Sequence, residues 1–592
     1  MLPESGLRAG EDLATFDPAG PSYIARVRLG EVFTREERLA LVAPPGSNFT
    51  YKVTVPPAGR LRFGVGVLDA AARGGAVGMQ VRVRGGVAPA AVLFDRLVAA
   101  EVPGRWQDEE VDLSGWSGQQ VSLELAALSG TGEGLVAAWS SPYLLSARGA
   151  AAKGSEPAGG GGPGTRPNVV WISLDTLRAD HLGAYGYSRP TSPNLDAFAA
   201  RGLRFEWAIS QAPWTRPSHR SMLTGVYPAS RGGLDSPMIG EVLYRAGYQT
   251  LAVTGGGQMD STLGFDRGFE IYRVWDWIHE PQKMVGWAHE RARIADRPFF
   301  AFLHCYETHE PYSHPRFAAG MPSGRLTGEV TKEIWNRLRK RFSDEEKRYA
   351  EAMYDGDIAY TDGRLGEFFA ELEGIGLLQN SIVIVTSDHG EQFWEHGSWG
   401  HGQNLYDHQI HVPLLVYLPD SVRDDLERAS RAKGKGPALT QGVIDDQVEL
   451  VDLYPTLLEL LRVEPESPGN GRSLVSLLAG QGALPAREAF AEHTNVKEKE
   501  QKALRTPRYK FIVSIPRRAA DTKGESYELY DLKRDPAEQQ NLAPGLAGRV
   551  GELRTRIGRI LDGTDGTLEE EVPADIDADL REQLKALGYI GN

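Results

Sequence analysis

Residues 168–177 read NVVWISLDTL, an apolar run ending in Asp175. A strand that is apolar without alternation is covered on both faces, as happens in parallel sheets packed between helices. Working outward, YQTLAVTG (248–255), PFFAFLHCY (298–306), SIVIVTSDHG (381–390) and VPLLVYLP (412–419) repeat the pattern, with helical stretches between them. The predicted fold class is therefore α/β, a large, mostly parallel sheet flanked by helices. Functional groups in such sheets collect at the C-terminal ends of strands, which makes Asp175 and the Asp388-His389-Gly390 turn candidates. Residues 327–377 read as helix-rich and polar, so Asp355, Asp357 and Asp362 are expected on a solvated face.

Upstream, the pattern changes. Short alternating stretches such as MQVRVRGGV (79–87) and QVSLELAAL (120–128), separated by glycine and proline turns, predict an all-β sandwich over residues 1–146. Residues 147–167, ARGAAAKGSEPAGGGGPGTRP, offer no apolar face and read as a linker. The α/β unit is expected over 168–480, a small C-terminal subdomain over 481–545 and a helical tail over 546–592. Trp106, Trp116 and Trp139 in the sandwich could stack on a sugar ring, although burial is the commoner fate of a sandwich tryptophan.

A net charge of -14 without a long basic run gives no reason to expect nucleic acid or an anionic membrane as partner. An anionic substrate would then need a local positive site, most simply a metal. Cys305 is the only cysteine, so an intrachain disulfide is excluded. The opening MLPESGLRAGEDLATF lacks the basic and then apolar run of a secretory signal, and no apolar stretch is long enough to span a membrane. The expected location is cytoplasmic by default, with the periplasm as the alternative; the oligomeric state is open.

Chemistry concentrates late in the chain. All thirteen histidines lie at or after His181, and five fall between His389 and His411. Adjacent Asp388 and His389 at a strand tip suit a divalent cation, and Asp175 supplies a second strand-end carboxylate. In PWTRPSHRSMLTG (213–225), SHRSMLTG reads as a helix ending at Gly225, with Thr215 just before it. There Thr215 could cap the helix, or it could be a nucleophile activated by a cation and by the helix N-terminus.

These pieces occur in an order that resembles the sulfatase family of the alkaline phosphatase superfamily. The matching blocks are NVVWISLDTLRADHLGAYGY, APWTRPSHRSMLTGVYP, FLHCYETHEPY, TSDHGEQFWEHGSWGHGQNLYDHQIHVP, VELVDLYPTLLELL with GRSL, and ELYDLKRDPAEQQNLA. The N-terminal region resembles jelly-roll modules that accompany carbohydrate-active enzymes. The resemblance implies one divalent metal (Mn, Zn, Mg or Ca) held by Asp175, Thr215, Asp388 and His389. It places Thr215 on the nucleophile position, His309 as the acid for the leaving oxygen, and His401, His219, Arg220 and His304 toward the substrate. His396 is expected to be structural, and Arg178, Asp180 and His181 to brace the first loop.

Departures from the family pattern are as informative. Family sulfatases use a formylglycine made from cysteine or serine, whereas oxidising threonine stops at a ketone, so no formylglycine is expected. His219 replaces the motif arginine, Thr176 stands where many members have a second metal-binding aspartate, and VTGGGQMD (253–260) lacks the family's lysine and histidine. The reading is a metal-dependent hydrolase of sulfate or phosphate esters, acting on a small-molecule or glycan ester, with Thr215 as nucleophile. The alternatives are a phosphoryl or phospho-alcohol transferase of the same superfamily, and a catalytically inactive glycan-binding protein.

Overall fold

The apolar runs form strands whose every residue is buried: Asn168–Leu174, Gln249–Thr254, Phe299–Cys305 and Ser381–Thr386. The computed structural model describes residues 24–31, 34–69, 74–86, 89–100, 105–131, 134–145, 166–229, 236–274, 285–286, 289, 297–338, 341–434, 437–481, 487–494, 499–516, 524–561, 580–581 and 584. Asn168–Leu174 pairs in parallel with Phe299–Cys305 on one side and Ser381–Thr386 on the other. Gln249–Thr254 and Ile271–Val274 extend the sheet in parallel beyond Phe299–Cys305. On the other flank His411–Tyr417 enters antiparallel, followed by Leu203–Ile209 and Gly442–Glu449. Side chains alternate across this sheet: Val170, Ile172 and Leu174 enter one apolar core, and Val169 and Trp171 the other. That division explains the apolar run, because neither face of the strand meets water.

The sheet does not end at Ile271–Val274. That strand pairs antiparallel with Thr34–Ala43, and the order continues through Leu135–Leu145, Arg60–Asp69 and Gln107–Asp112. These outer strands form one layer of the predicted sandwich. Asn48–Thr54, Gln120–Thr131, Ala76–Arg84 and Ala91–Ala99 form the other. Phe63, Phe94 and Trp139 meet between the layers at centroid distances of 5.2–6.2 Å. Trp139 and Trp116 are buried, and Trp106 donates to the Glu36 carbonyl (3.3 Å) with Arg38 over its ring. The three tryptophans therefore pack the sandwich and its seam, Trp106 only partly buried. Residues 147–165 of the stretch read as a linker, and the opening 1–23, lie outside the described residues.

The long helix Asp344–Gly374 overturns one expectation. Asp355, Asp357 and Asp362 are all buried. Each carboxylate satisfies a loop packed on the helix: Asp355 accepts from Tyr187 Oη (2.7 Å), Asp357 from the His314 N–H (2.9 Å), and Asp362 from the Leu195 N–H (2.8 Å). Polar groups shut away from water need partners, and here the carboxylates serve side chains (Asp355), loop N–H groups (Asp357) and the first-turn N–H groups of helix Pro193–Ala200 (Asp362). At the C-terminus, Ala489–His493, Lys499–Arg505, Tyr509–Pro516 and Ser526–Asp531 form an antiparallel sheet in sequence order. Helix Ala547–Leu561 packs Val550, Leu553 and Ile557 on it; residues 562–579 of the expected tail are outside the described set. No helix among the described residues is long and apolar enough to cross a membrane.

Candidate active site

Asp175 lies one residue beyond Asn168–Leu174, its N–H donating to the Cys305 carbonyl of the neighbouring strand (2.9 Å). Asp388 and His389 lie just beyond Ser381–Thr386, so the parallel pairing carries both loops to the same edge. Thr215 is the first residue of helix Thr215–Thr224, which stops at Gly225 in the left-handed conformation (φ 72°). The cap position belongs to Trp214, without a side-chain cap bond. The Thr215 hydroxyl instead donates to Asp175 Oδ2 (3.1 Å) and lies 3.4 Å from His389 Nε2. His389 Nε2 is in turn 3.3 Å from Asp388 Oδ2 and 3.7 Å from Asp175 Oδ1.

These groups fit a cation. Asp175, Asp388 and His389 present one ligand atom each within 4.8 Å of one another, all buried. Ligand atoms around an ion at 2.0–2.2 Å stand roughly 3.0–3.6 Å apart, close to the spacings here. Asp175 Oδ1 and Asp388 Oδ2 are buried without a hydrogen-bond donor, which positive charge would answer. Burial pushes the Asp175 carboxyl up to about 7, and burial together with the Asp175 charge pushes Asp388 up. His389 Nδ1 donates to the Gly390 carbonyl (2.9 Å), which fixes the tautomer and leaves the Nε2 lone pair facing the carboxylates.

Around this centre the histidines divide. His219, one helical turn after Thr215, donates from Nδ1 to the Thr215 carbonyl (2.9 Å), and its Nε2 meets Ser173 Oγ (2.9 Å). Its Nδ1 also lies 3.3 Å from Asp388 Oδ2, and burial holds it neutral, well below the ordinary histidine range. His304 Nε2 approaches Asp175 Oδ2 (3.3 Å) from the adjacent strand. Burial lowers it to about 3, and it orients the carboxylate. Arg220 is turned about 140° round the helix from Thr215, donates to the Leu263 carbonyl (2.9 Å) and lies over the Phe265 ring. His219, His304 and Arg220, all expected toward the substrate, are held here by Ser173, Asp175 and the Leu263 carbonyl respectively.

His309 and His401 lie on the other side. His309 Nδ1 donates to the Glu310 carbonyl (2.6 Å), and burial with the nearby His401 charge keeps it neutral, well below its usual range. The His401 ring is 4.7 Å from that of His309 and 4.8 Å from that of His389. Burial alone would lower His401, but Glu391, at 3.2 Å from Nδ1, outweighs burial and raises it. Glu391, a partner that the sequence reading missed, also accepts from Tyr312 Oη (2.8 Å). Its position two residues after His389 was the available signal.

Thr176 is no ligand. It occupies the left-handed region (φ 59°), donates from Oγ1 to the Thr308 carbonyl (2.7 Å) and points its N–H at Asp388 Oδ1 (3.4 Å). Arg178 pairs with Asp180 (2.7 Å) and donates to the Glu391 carbonyl (3.0 Å), while His181 bonds Asp355 (2.7 Å), so these three tie down the first loop. His396 stacks on Tyr406 at 3.5 Å, away from the centre.

With this geometry in place, comparison with known proteins is decisive. The sulfatase family model matches residues 167–463, just over half of the chain, and the C-terminal model of N-sulphoglucosamine sulphohydrolase matches 394–550. The chain belongs to the sulfatase family. As a member it is a sulfuric ester hydrolase of the alkaline phosphatase superfamily. The sulfatase is 30% identical over 468 residues to arylsulfatase K of Xenopus laevis, which covers 67% of this chain and 83% of that relative. Its fold is shared with BT4656, solved in complex with its substrate D-glucosamine-2-N,6-O-disulfate: TM-score 0.52, 19% identity, 67% of this chain and 98% of that one. It is shared too with the phosphonate monoester hydrolase of Silicibacter pomeroyi: TM-score 0.50, 22% identity, 68% of this chain and 97% of that one.

Proposed function

We propose that the sulfatase cleaves its esters with unmodified Thr215 as nucleophile and a divalent cation held by Asp175, Thr215, Asp388 and His389. The observation that carries this reading is the Thr215 hydroxyl aimed at Asp175 Oδ2 (3.1 Å) beside two buried carboxylate oxygens that lack donors. A cation bound there would favour the alkoxide of Thr215 and offset the charge on the ester's non-bridging oxygens.

The chain's own groups do the rest. Thr215 Oγ1 attacks sulfur or phosphorus in line, forming a covalent threonine ester as the bond to the leaving alcohol breaks. As the ester forms, the hydroxyl proton leaves along the hydrogen bond to Asp175 Oδ2. His219, bonded to the Thr215 carbonyl, and the first turn of the helix hold the nucleophile in place. His309 exchanges its proton at Nε2, because Nδ1 is committed to Glu310. Protonated at Nε2 from solvent when an anionic ester sits beside it, His309 gives that proton to the leaving oxygen, and its lowered pKa makes it a strong acid in that form. His401, whose pKa Glu391 raises against the effect of burial, has its ring between those of His309 and His389 and in its protonated form would favour an anion there. Water then attacks the threonine ester, with His309 as base.

Sulfate esters are the substrates that family membership assigns. A phosphate or phosphonate ester is the further reading, supported by a nucleophile that cannot become an aldehyde and by a site holding two aspartates and a histidine. The test is a panel of aryl sulfate, phosphate monoester, phosphate diester and phosphonate, each with Mn, Zn, Mg or Ca. Cleavage of a phosphoryl or phosphonyl member supports it, and activity on the sulfate ester alone refutes the phosphoryl reading. Release that depends on an added alcohol rather than on water would favour the transferase instead.

A further inference from the structure

His401 sits between Gly400 and Gly402, both in the left-handed region (φ 96° and 67°). Glycines give a loop no side chains to pack, so the place of His401 depends on contacts made elsewhere along its segment. Two of them face the reaction centre. The Gly402 N–H donates to the Pro213 carbonyl (2.9 Å), two residues before Thr215, and the Gly390 N–H, next to His389, donates to the Gln409 carbonyl (2.9 Å). Gln409 belongs to the short helix Asp407–Ile410, and Asp407 is where the C-terminal subdomain takes hold.

Asp407 Oδ1 accepts from Lys510 Nζ (2.8 Å) and Arg505 Nε (2.9 Å), and its Oδ2 accepts from Arg505 Nη2 (2.8 Å). Its own N–H donates to Glu538 Oε2 (2.6 Å), and Glu538 Oε1 closes the ring on Lys510 Nζ (3.0 Å). Lys510, Arg505 and Glu538 are buried. Two carboxylates against two cations leave the cluster neutral. A buried ion cluster is weak evidence for added stability, and fixing one arrangement of its elements is the better-attested use. Beside it, Tyr406 Oη donates to Glu528 (2.6 Å) and Gln539 Nε2 to the Glu395 carbonyl (3.2 Å), so the subdomain holds the segment on both sides of His401. Glu538, in DPAEQQNLA (535–543), has its backbone in the left-handed region (φ 56°). A turn alone would take glycine there more easily, so the carboxylate is what position 538 supplies.

We infer that Glu538 and Lys510 are positioning residues of the active site: by locking Asp407 they set the Gly390–His411 segment so that His401 stands between His309 and His389. The inference rests on the reading of His401 as a group that favours the ester's anion. The test is calorimetric binding of inorganic sulfate and inorganic phosphate to the metal-loaded full-length parent, Glu538→Gly, His401→Asn and the double variant, with hydrogen exchange of the 391–411 peptides alongside. Glu538→Gly relieves the backbone and removes only the carboxylate. It should weaken at least one anion by about 3- to 10-fold with metal content unchanged, and speed exchange at 401–410 by about 10-fold. In the His401→Asn background the same change should shift the affinity by less than about twofold, because the lock acts through His401. Glu538→Gln, which keeps an oxygen for the Asp407 N–H, should recover part of the loss.

If Glu538→Gly does not fold, Glu538→Asn, which tolerates the left-handed region and is one methylene too short, should show the same shift. Where His401→Asn weakens binding, a Glu538 effect that is absent, or of equal size in both backgrounds, would overturn the inference. If His401→Asn binds both anions as the parent does, the reading of His401 fails and exchange decides the lock: faster exchange at 401–410 in Glu538→Gly upholds it, and unchanged exchange refutes it.

Discussion

Arg35→Met probes the seam between the sandwich and the catalytic sheet. The Arg35 side chain is 1% exposed and that of Asp260 is fully buried, so their ion pair lies away from water. Removing one partner of such a pair strands a buried charge and typically costs about 3–5 kcal/mol. Glu37, 3.6 Å from Arg35, would lose a partner too but keeps Arg28 (2.8 Å) and the Ser261 hydroxyl. Asp260→Asn keeps the oxygen that accepts from Thr262 N–H (2.9 Å) and so removes the charge with little else. The double variant has no stranded charge at this pair, and replacing a whole buried pair is often close to neutral. Urea unfolding of the four proteins in a double-mutant cycle should give a coupling of about 2 kcal/mol or more, with the double variant more stable than Arg35→Met alone. Additive losses would mean that Arg35 and Asp260 do not depend on each other, and that the seam is held by strand pairing only.

Four other outcomes follow from the structure. His309→Ala should slow alkyl ester cleavage by about 100- to 10,000-fold and spare esters whose leaving group needs no proton, read as rates across leaving groups of graded pKa. Gly356→Ala should destabilise at the upper end of roughly 1–3 kcal/mol, because its added Cβ would lie 1.7 Å from the His314 carbonyl oxygen; chemical denaturation measures this. Glu346 is lowered to about 2, first by the hydrogen bond from Arg325, so its folded pKa lies below the unfolded value. The stability it contributes is present above the ordinary glutamate range and is lost as pH falls toward 2. The melting-temperature gap between the parent and Glu346→Gln should hold from pH 7 to about pH 5 and shrink from there toward pH 2. Because Arg325 is half exposed, that gap should also narrow in high salt.

Much of this was legible in the sequence, for reasons that particular residues make plain. Asn168–Leu174 was readable because a strand covered on both faces is apolar without alternation over most of its length, here Val169–Ile172, and Gly225 because a helix stop needs the left-handed region. The meeting of Asp175 with Asp388 and His389 was readable because parallel neighbours end at one edge. What escaped was set by partners far away in the chain. Asp355, Asp357 and Asp362 look solvent-facing until loops at 187, 195 and 314 arrive to use them. The pairing of Ile271–Val274 with Thr34–Ala43 joins segments more than two hundred residues apart, and no local pattern announces it. His219 and Arg220 are adjacent letters, and only the helix phase sends one to the Thr215 carbonyl and the other to Leu263.

The central claim is that Thr215 carries the chemistry as an ordinary threonine. Mass spectrometry of the Thr215 peptide, from enzyme quenched during turnover of a substrate it cleaves, tests this directly. Thr215 should be unmodified at rest and carry a sulfo- or phospho-group in the quenched sample, and Thr215→Ala should show neither adduct nor turnover. Undiminished turnover by Thr215→Ala, or an adduct on another residue, would contradict the central claim.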